Sequence, residues 1–335
     1  MGMSTNSNSP PSRFRTLDGA ATAATSDRGC VLAIGNFDGV HRGHQALLQS
    51  ARDTAATHHA PAGAMVFEPH PRVFFRPDLP HFTLTPRARQ MQLFERFGLD
   101  VAVILPFDKA LSQMSAEAFA DKILIERLGV THVVIGYDFS FGRDRGGKPD
   151  AMRAMGNAKG FGVTVIEPVG NGGAVFSSSA VRGHLAQGDV AGANLALGHR
   201  WCVTSKVIGG AKRGTGLGFP TANVTMPPGT SLAHGIYAVW VDVDGARHAG
   251  AAYFGNRPQF DNGAPILEVF LIHFDGDLYG REISVVFVDF VRRDGRFDDI
   301  EALKAQMKSD CDRAVDILKR TSATDPLAGL PLANA

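Results

Sequence analysis

The chain has 335 residues, of which 20% are charged, with a formal net charge of +1. That length accommodates two domains with separate cores, and the near-neutral balance excludes a general electrostatic pull toward nucleic acid. Three scattered cysteines, Cys30, Cys202 and Cys311, make neither a disulfide framework nor a zinc knuckle, and point to a reducing, cytoplasmic setting.

Residues 1–28 are rich in Ser, Thr, Ala, Asn and Pro and lack the apolar core of a leader peptide, so they are expected to form a disordered tail. Arg13 and Arg15 resemble a targeting segment only faintly, given Asp18 and Asp27. Apolar runs at 31–35, 63–68, 101–106, 131–136 and 162–167 then alternate with helical stretches near 44–58, 86–97, 115–128 and 149–160. This alternation predicts βα units around a parallel sheet covered on both faces. A further helical stretch over 180–197, interrupted at Gly188-Asp189, ends in Gly198-His199 and is expected to link or hinge the two halves.

After Trp201 the rhythm changes. Apolar segments at 201–208, 236–243, 247–254, 266–274 and 283–291 are separated by glycine-containing turns, among them Asp242-Val243-Asp244-Gly245 and Phe274-Asp275-Gly276-Asp277. The pattern predicts a small antiparallel barrel or sandwich. Asp298 or Asp299 then caps a last helix whose stripe Ile300, Leu303, Met307, Cys311, Ala314 and Leu318 is expected to pack on that barrel. No apolar run approaches the ~18 residues of a membrane span.

Two segments carry chemistry. Directly after the first strand stands Gly35-Asn36-Phe37-Asp38-Gly39-Val40-His41-Arg42-Gly43-His44. Glycines at 35, 39 and 43 let backbone approach a polyanion at a helix start, where amides and the helix dipole favour negative charge. Imidazoles at 41 and 44 can donate to phosphate oxygens that gain charge during transfer. Asp38 would be repelled by bare phosphate and is expected to orient a partner or help place a metal. The second segment is Gly214-Thr215-Gly216-Leu217-Gly218-Phe219-Pro220-Thr221-Ala222-Asn223. Such a loop can fold over ATP, while Thr221 and Asn223 offer oxygens suited to magnesium or manganese. Glu268 interrupts an apolar strand pattern and is a candidate general base. Two phosphate-type segments on two folds suggest two ATP-dependent steps. Pro69-His70-Pro71 is expected to shape a loop, and His58-His59 to lie on the surface.

His41-Arg42-Gly43-His44 resembles the His-x-Gly-His signature of nucleotidylyltransferases, and the longer 35–41 string resembles that of bacterial bifunctional riboflavin kinase/FAD synthetases. Phe67-Glu68-Pro69-His70-Pro71, Leu111-Ser112 with Phe119, Gly136 through Gly142, and Ser177-Ser178-Ser179-Ala180-Val181-Arg182 agree with that family in order, with Ser179 where threonine is usual. The resemblance covers about residues 29–320. It implies a Rossmann-like α/β adenylyltransferase domain over 29–186, a linker helix over 187–200, and a riboflavin kinase domain over 201–322. The kinase domain would be a six-stranded antiparallel barrel with a C-terminal helix, and a tail follows over 323–335. Asn36, Asp38, His41 and His44, with Gly35, Phe37, Gly39, Ser177 and Ser178, would surround the ATP phosphates, and Arg182 would reach the β/γ-phosphates. Asp138, Phe139 and Phe141 would line the flavin side near Arg143, with Arg145 and Lys148 able to steer flavin phosphate.

In the second half the resemblance makes Gly214, Gly218, Phe219 and Pro220 nucleotide-binding, Thr221 and Asn223 magnesium ligands, and Glu268 the base. Gly276 through Gly280 and Gln306 through Asp310 also match the family. Thr215, Gly216 and Gln259 depart from it, so an adenylyltransferase with an impaired kinase is the alternative, and a non-catalytic flavin or nucleotide sensor a further one. Expected partners are ATP, riboflavin, FMN and FAD, with no nucleic acid and no membrane, for a monomer or weak homo-oligomer.

Overall fold

The computed structural model describes residues 14–19, 21, 28–209, 221–256, 265–295 and 297–324. These divide into two units: one within 14–79 and 86–175, the other within 80–85 and 176–324.

The first unit is a six-stranded parallel sheet of β1 (Arg15–Asp18), β2 (Val31–Ile34), β3 (Ala62–Glu68), β4 (Val101–Pro106), β5 (His132–Gly136) and β6 (Gly162–Ile166), in the order β1-β4-β3-β2-β5-β6. Its helices are α1 (Arg42–His58), α2 (Pro71–Phe75), α3 (Arg87–Arg96), α4 (Lys109–Ser112), α5 (Ala116–Ala118) and α6 (Pro149–Lys159). All four residues of β2 are buried, as a strand covered on both faces requires. Val31 and Ala33 share a core with Leu47, Leu48 and Ala51 of α1 and Leu93 and Phe94 of α3. Leu32 and Ile34 face the other way, onto Phe119, Ile123, Leu124 and Met152.

The stretch expected as one helix over 115–128 begins as α5, capped by Ser115 Oγ accepting from Ala118 N (3.1 Å), and runs on as a π-helix over Phe119–Arg127. The wider winding puts Phe119, Ala120, Ile123 and Leu124 together on the sheet. Arg28 closes its end, donating to the carbonyls of Ile125, Glu126 and Arg127 at 2.9–3.2 Å.

The disordered-tail expectation for 1–28 is corrected at residues 15–18. They form β1, paired in parallel with β4 from Arg15↔Val101 to Asp18↔Ile104. Four residues with one apolar side chain carry no readable pattern. The strand exists because the edge of β4 offers backbone partners and Leu17 has a core to join.

A short hairpin, β7 (Gly170–Asn171) with β8 (Ala174–Val175), completes the first unit. The second begins with α7 (Ser178–Gln187) and α8 (Val190–Leu197). Gly188 ends α7 in the left-handed region (φ 80°), and Asp189 caps α8 by accepting from Gly192 N at 2.8 Å, which is the expected interruption. The expected hinge at Gly198-His199 is instead a packed corner. Buried Asn194 accepts from Trp201 N (2.8 Å) and donates to Phe287 O (3.0 Å), and the Trp201 indole donates to Leu84 O (3.1 Å).

β9 (Cys202–Ile208), β10 (Thr221–Val224), β11 (Gly235–Val243), β12 (Ala246–Asn256), β13 (Pro265–Leu271) and β14 (Glu282–Arg293) close into an antiparallel barrel in the order β10-β13-β12-β11-β14-β9. Tyr237, Val239, Val241, Leu267, Val269 and Leu271 fill it. Asp244 (φ 47°) and Gly245 (φ 80°) make the tight turn between β11 and β12. Outside the barrel lies α9 (Ile300–Thr324), capped by Asp299, whose carboxylate accepts from Ala302 N at 2.7 Å. Cys311, Ala314 and Leu318 pack on Ala238, Ala251, Val288 and Val291. Ile300, expected in that stripe, is 61% exposed. The preceding turns are held by polar contacts instead: buried Asp310 accepts from Arg292 at 2.8 and 2.7 Å and from Gln306 at 3.0 Å.

Candidate active sites

Strand order locates the first site. From β2 the chain passes through α1 to β3 on one side, while β5, on the other side of β2, leads through α6 to β6. In such sheets ligands bind beyond the carboxyl ends of the strands where the winding reverses. Residues 35–44 leave β2 there. The pairing of Ala33 with Val134 brings the exit of β5, and with it Tyr137-Asp138-Phe139, to the same edge.

The 35–44 segment is tightly folded. Phe37 (φ 51°), Gly39 (φ 90°) and Val40 (φ 44°) are all left-handed, a costly conformation for the two non-glycine residues. Val40 N donates to Phe37 O at 3.1 Å. His41 caps α1: its Nδ1 accepts from His44 N at 3.3 Å, so a neutral His41 carries its proton on Nε2. The two imidazoles stack with centroids 3.6 Å apart and planes at 23°. His44 Nδ1 is buried with no hydrogen-bond partner among the described residues. Burial first, and the neighbouring His41 second, hold the His44 pKa well below an imidazole's ordinary 6.5, so the ring is neutral at neutral pH. A stacked imidazole pair at a helix start is a donor site that gains most when an anion arrives.

Of the residues expected here, Asp38 and His41 are buried and Asn36 is exposed. The Phe37 side chain is enclosed in the core against Phe94 and His44, so what it can offer a ligand is backbone. Of the residues expected to line the flavin, Phe139 and Phe141 stack at 5.5 Å, with Phe141 buried against Phe119, while Asp138 and Arg143 are exposed. Ser177, Ser178 and Arg182 belong to the second unit. Ser177 caps α7 by accepting from Ala180 N (3.1 Å), and Arg182 Nε donates to Phe82 O (2.8 Å).

The second site lies on the barrel. Ala222, Val224, Leu267 and Val269 point inward, so Thr221, Asn223 and Glu268 share the outer face. Asn223 pairs directly with Glu268, which pairs in turn with Tyr253 of β12, whose hydroxyl donates to Asp294 at 3.0 Å. Cross-strand partners of this kind have Cβ atoms about 5 Å apart. Gly214, Thr215, Gly216, Gly218, Phe219, Pro220 and Gln259 lie outside the described residues.

The FAD synthetase family matches residues 23–180 and the riboflavin kinase family residues 197–318. The bifunctional riboflavin kinase/FMN adenylyltransferase of Pseudomonas fluorescens is 41% identical over 284 residues, which are 84% of this chain and 91% of the relative. That of Escherichia coli K12 is 37% identical over 283 residues, covering 84% and 90%. The chain belongs to the bifunctional riboflavin kinase/FMN adenylyltransferase family. As a member it phosphorylates riboflavin to FMN and adenylylates FMN to FAD, with ATP as co-substrate of both steps. A crystal structure described as a macrolide-efflux protein from Streptococcus pneumoniae has the same fold (TM-score 0.79, 24% identity, 90% of this chain and 99% of that one). No helix among the described residues of this family member is long and apolar enough to cross a membrane.

Sequence reasoning missed two groups in this riboflavin kinase/FMN adenylyltransferase. One is an aromatic cluster at the same edge of the sheet: Phe74 and the 61%-exposed Phe75 of α2 meet Phe107 edge-on at 5.3 and 5.7 Å, and Phe67 meets it at 5.9 Å. The paired phenylalanines beside a proline-rich segment were its signal. The loop expected at Pro69-His70-Pro71 is the start of α2, with His70 Nδ1 accepting from Arg72 N at 3.0 Å. The other is Gln90 with Arg87 and Glu68, signalled by a polar residue on the apolar stripe of α3 that Leu93 and Phe94 continue.

Proposed function

We propose that FAD formation uses the 35–44 segment and FMN formation uses the outer barrel face around Asn223 and Glu268. In the first reaction the FMN phosphate attacks the α-phosphorus of ATP, the α–β bond breaks and pyrophosphate leaves. The nucleophile is already anionic, so the protein need only position it and offset charge. His41 and His44 donate to the ATP phosphates from the start of α1. Asp138 and the aromatic residues at that edge take the flavin. The observation that carries this reading is the stacked histidine pair at the point where the sheet reverses, with Nδ1 of the neutral His44 unsatisfied among the described residues.

In the second reaction Glu268 takes the proton of the ribityl 5′-hydroxyl as that oxygen attacks the γ-phosphorus and ADP leaves. The donor set at the barrel, a threonine hydroxyl and a buried asparagine amide beside a carboxylate, fits a hard divalent cation. No cluster of three or more His, Cys, Asp or Glu suited to a metal occurs among the described residues, which agrees with a cation that takes the rest of its ligands from nucleotide phosphates and water. Thr221 and Asn223 would hold magnesium, which when bound neutralises phosphate charge. The three cysteines are all free, in keeping with a cytoplasmic setting.

One experiment tests both assignments: His44→Ala and Glu268→Ala enzymes supplied with Mg·ATP and either riboflavin or FMN, with the flavins separated. The first variant should form FMN and no FAD, and the second should form FAD only when FMN is supplied. A variant that retains its assigned step at wild-type rate removes that assignment.

A further inference from the structure

Gln90 lies on α3, more than fifty residues from Asn36 and Phe37, yet its side-chain amide supports them. It is 3% exposed. Its Nε2 donates to the backbone carbonyls of Asn36 (2.9 Å) and Phe37 (3.0 Å), the residues that open the left-handed turn leading to His41. Its Oε1 accepts from Arg87. Arg87 is itself fixed, donating to Phe67 O at 2.9 Å and, through Nε, to Glu68 at 2.7 Å.

The orientation of the amide follows from chemistry alone. A guanidinium only donates and a carbonyl only accepts, so the oxygen must face Arg87 and the NH2 must face the turn. A flipped amide would set donor against donor and acceptor against acceptor. Two carbonyls of a strained turn thus share one side chain as donor, Phe37 O having Val40 N as its other partner, and an acceptor that loses a donor away from bulk water is costly. The turn sets where the imidazoles of His41 and His44 stand, because His41 follows Val40 directly and caps α1.

We propose that Gln90, held by Arg87, is a positioning residue for adenylyl transfer: it fixes the backbone of Asn36 and Phe37 so that the histidine pair meets the ATP phosphates in register. This rests on the assignment of residues 35–44 to that reaction. Gln90 is buried with its amide engaged by protein groups, so its loss should act on the rate of FAD formation and leave FMN formation alone.

The test compares Gln90→Met, which keeps shape and removes both donors, with Gln90→Glu, in full-length protein. Gln90→Met should lower kcat for FMN adenylylation by about tenfold to a hundredfold, the usual cost of a small misplacement of catalytic groups. KM for FMN and the riboflavin kinase rate should stay within about twofold of wild type, since neither depends on this contact. Gln90→Glu places a carboxylate against two carbonyls at neutral pH. On acidification the carboxyl regains one donor, so its adenylylation rate relative to Gln90→Met should rise as pH falls. A simple packing role would give the two variants the same pH profile. His44→Ala serves as the control. If it abolishes FAD formation while Gln90→Met adenylylates at wild-type kcat, or while both Gln90 variants keep one pH profile, this proposal fails alone. If His44→Ala leaves FAD formation intact, the site assignment fails first.

Discussion

Asn223 on β10 stands directly opposite Glu268 on β13, the amide and the carboxylate on the barrel face that the core does not occupy. A carboxylate beside a candidate metal ligand is placed to take a proton from an alcohol whose attack a phosphate-bound cation favours. Glu268→Gln keeps the size and removes the proposed base. Riboflavin phosphorylation should fall by about 10²- to 10⁴-fold, the usual contribution of a general base. Adenylylation of supplied FMN should be unchanged, as measured by chromatography of the flavins with each substrate.

The stacked pair His41 and His44 gives the complementary expectation. Replacing His44 by Ala removes one proposed donor to charge that develops on the phosphates, and the kcat of FAD formation should drop by about 10²- to 10³-fold. Initial rates with FMN and ATP, alongside the riboflavin kinase rate of the same preparation, separate loss of chemistry from loss of fold.

The depressed pKa of His44 also predicts how stability varies with pH. Burial, then His41, disfavours the imidazolium in the folded protein, so the unfolded chain binds the proton more readily. Stability from this group is complete above about pH 6.5 and is lost as pH falls toward the folded-state pKa. His132, lowered by burial and by His58, acts in the same direction. His44→Gln should therefore lose less melting temperature than wild type between about pH 7.5 and pH 5. Thermal unfolding monitored at both pH values gives the comparison, and equal losses would contradict it.

The Arg292–Asp310 pair joins β14 to α9 with the carboxylate almost wholly buried. Asp310→Ala leaves the half-buried Arg292 guanidinium without its carboxylate and should destabilise the barrel unit by about 3 kcal/mol. Urea unfolding measures it. Double replacement with Arg292→Met should recover part of the loss, because the charge is then removed with its partner.

Much of the architecture was legible before the tertiary structure. Val31-Leu32-Ala33-Ile34 and the later apolar runs are short and punctuated, and each forms a strand within one or two residues of the expected bounds, apart from 266–274, which ends at Leu271. The Gly188-Asp189 break and the Asp244-Gly245 turn were legible for local reasons: a left-handed position, a cap, a two-residue connection. β1 was not legible, because its existence depends on β4 offering an edge. β10 was read as a ligand motif rather than a strand, and only its pairing with β13 puts Asn223 beside Glu268.

The sequence by itself determined the two folds, the family, and the residue types available for chemistry, since these follow from local periodicity and from short strings whose spacing suits phosphate. Only the tertiary structure decided that Phe37 is core, that Ile300 is exposed, and that Gln90 supports a turn fifty residues away. Such facts depend on which backbone groups remain unpaired after the chain has packed. That is a property of the assembled sheet and barrel, and no window of neighbouring residues contains it.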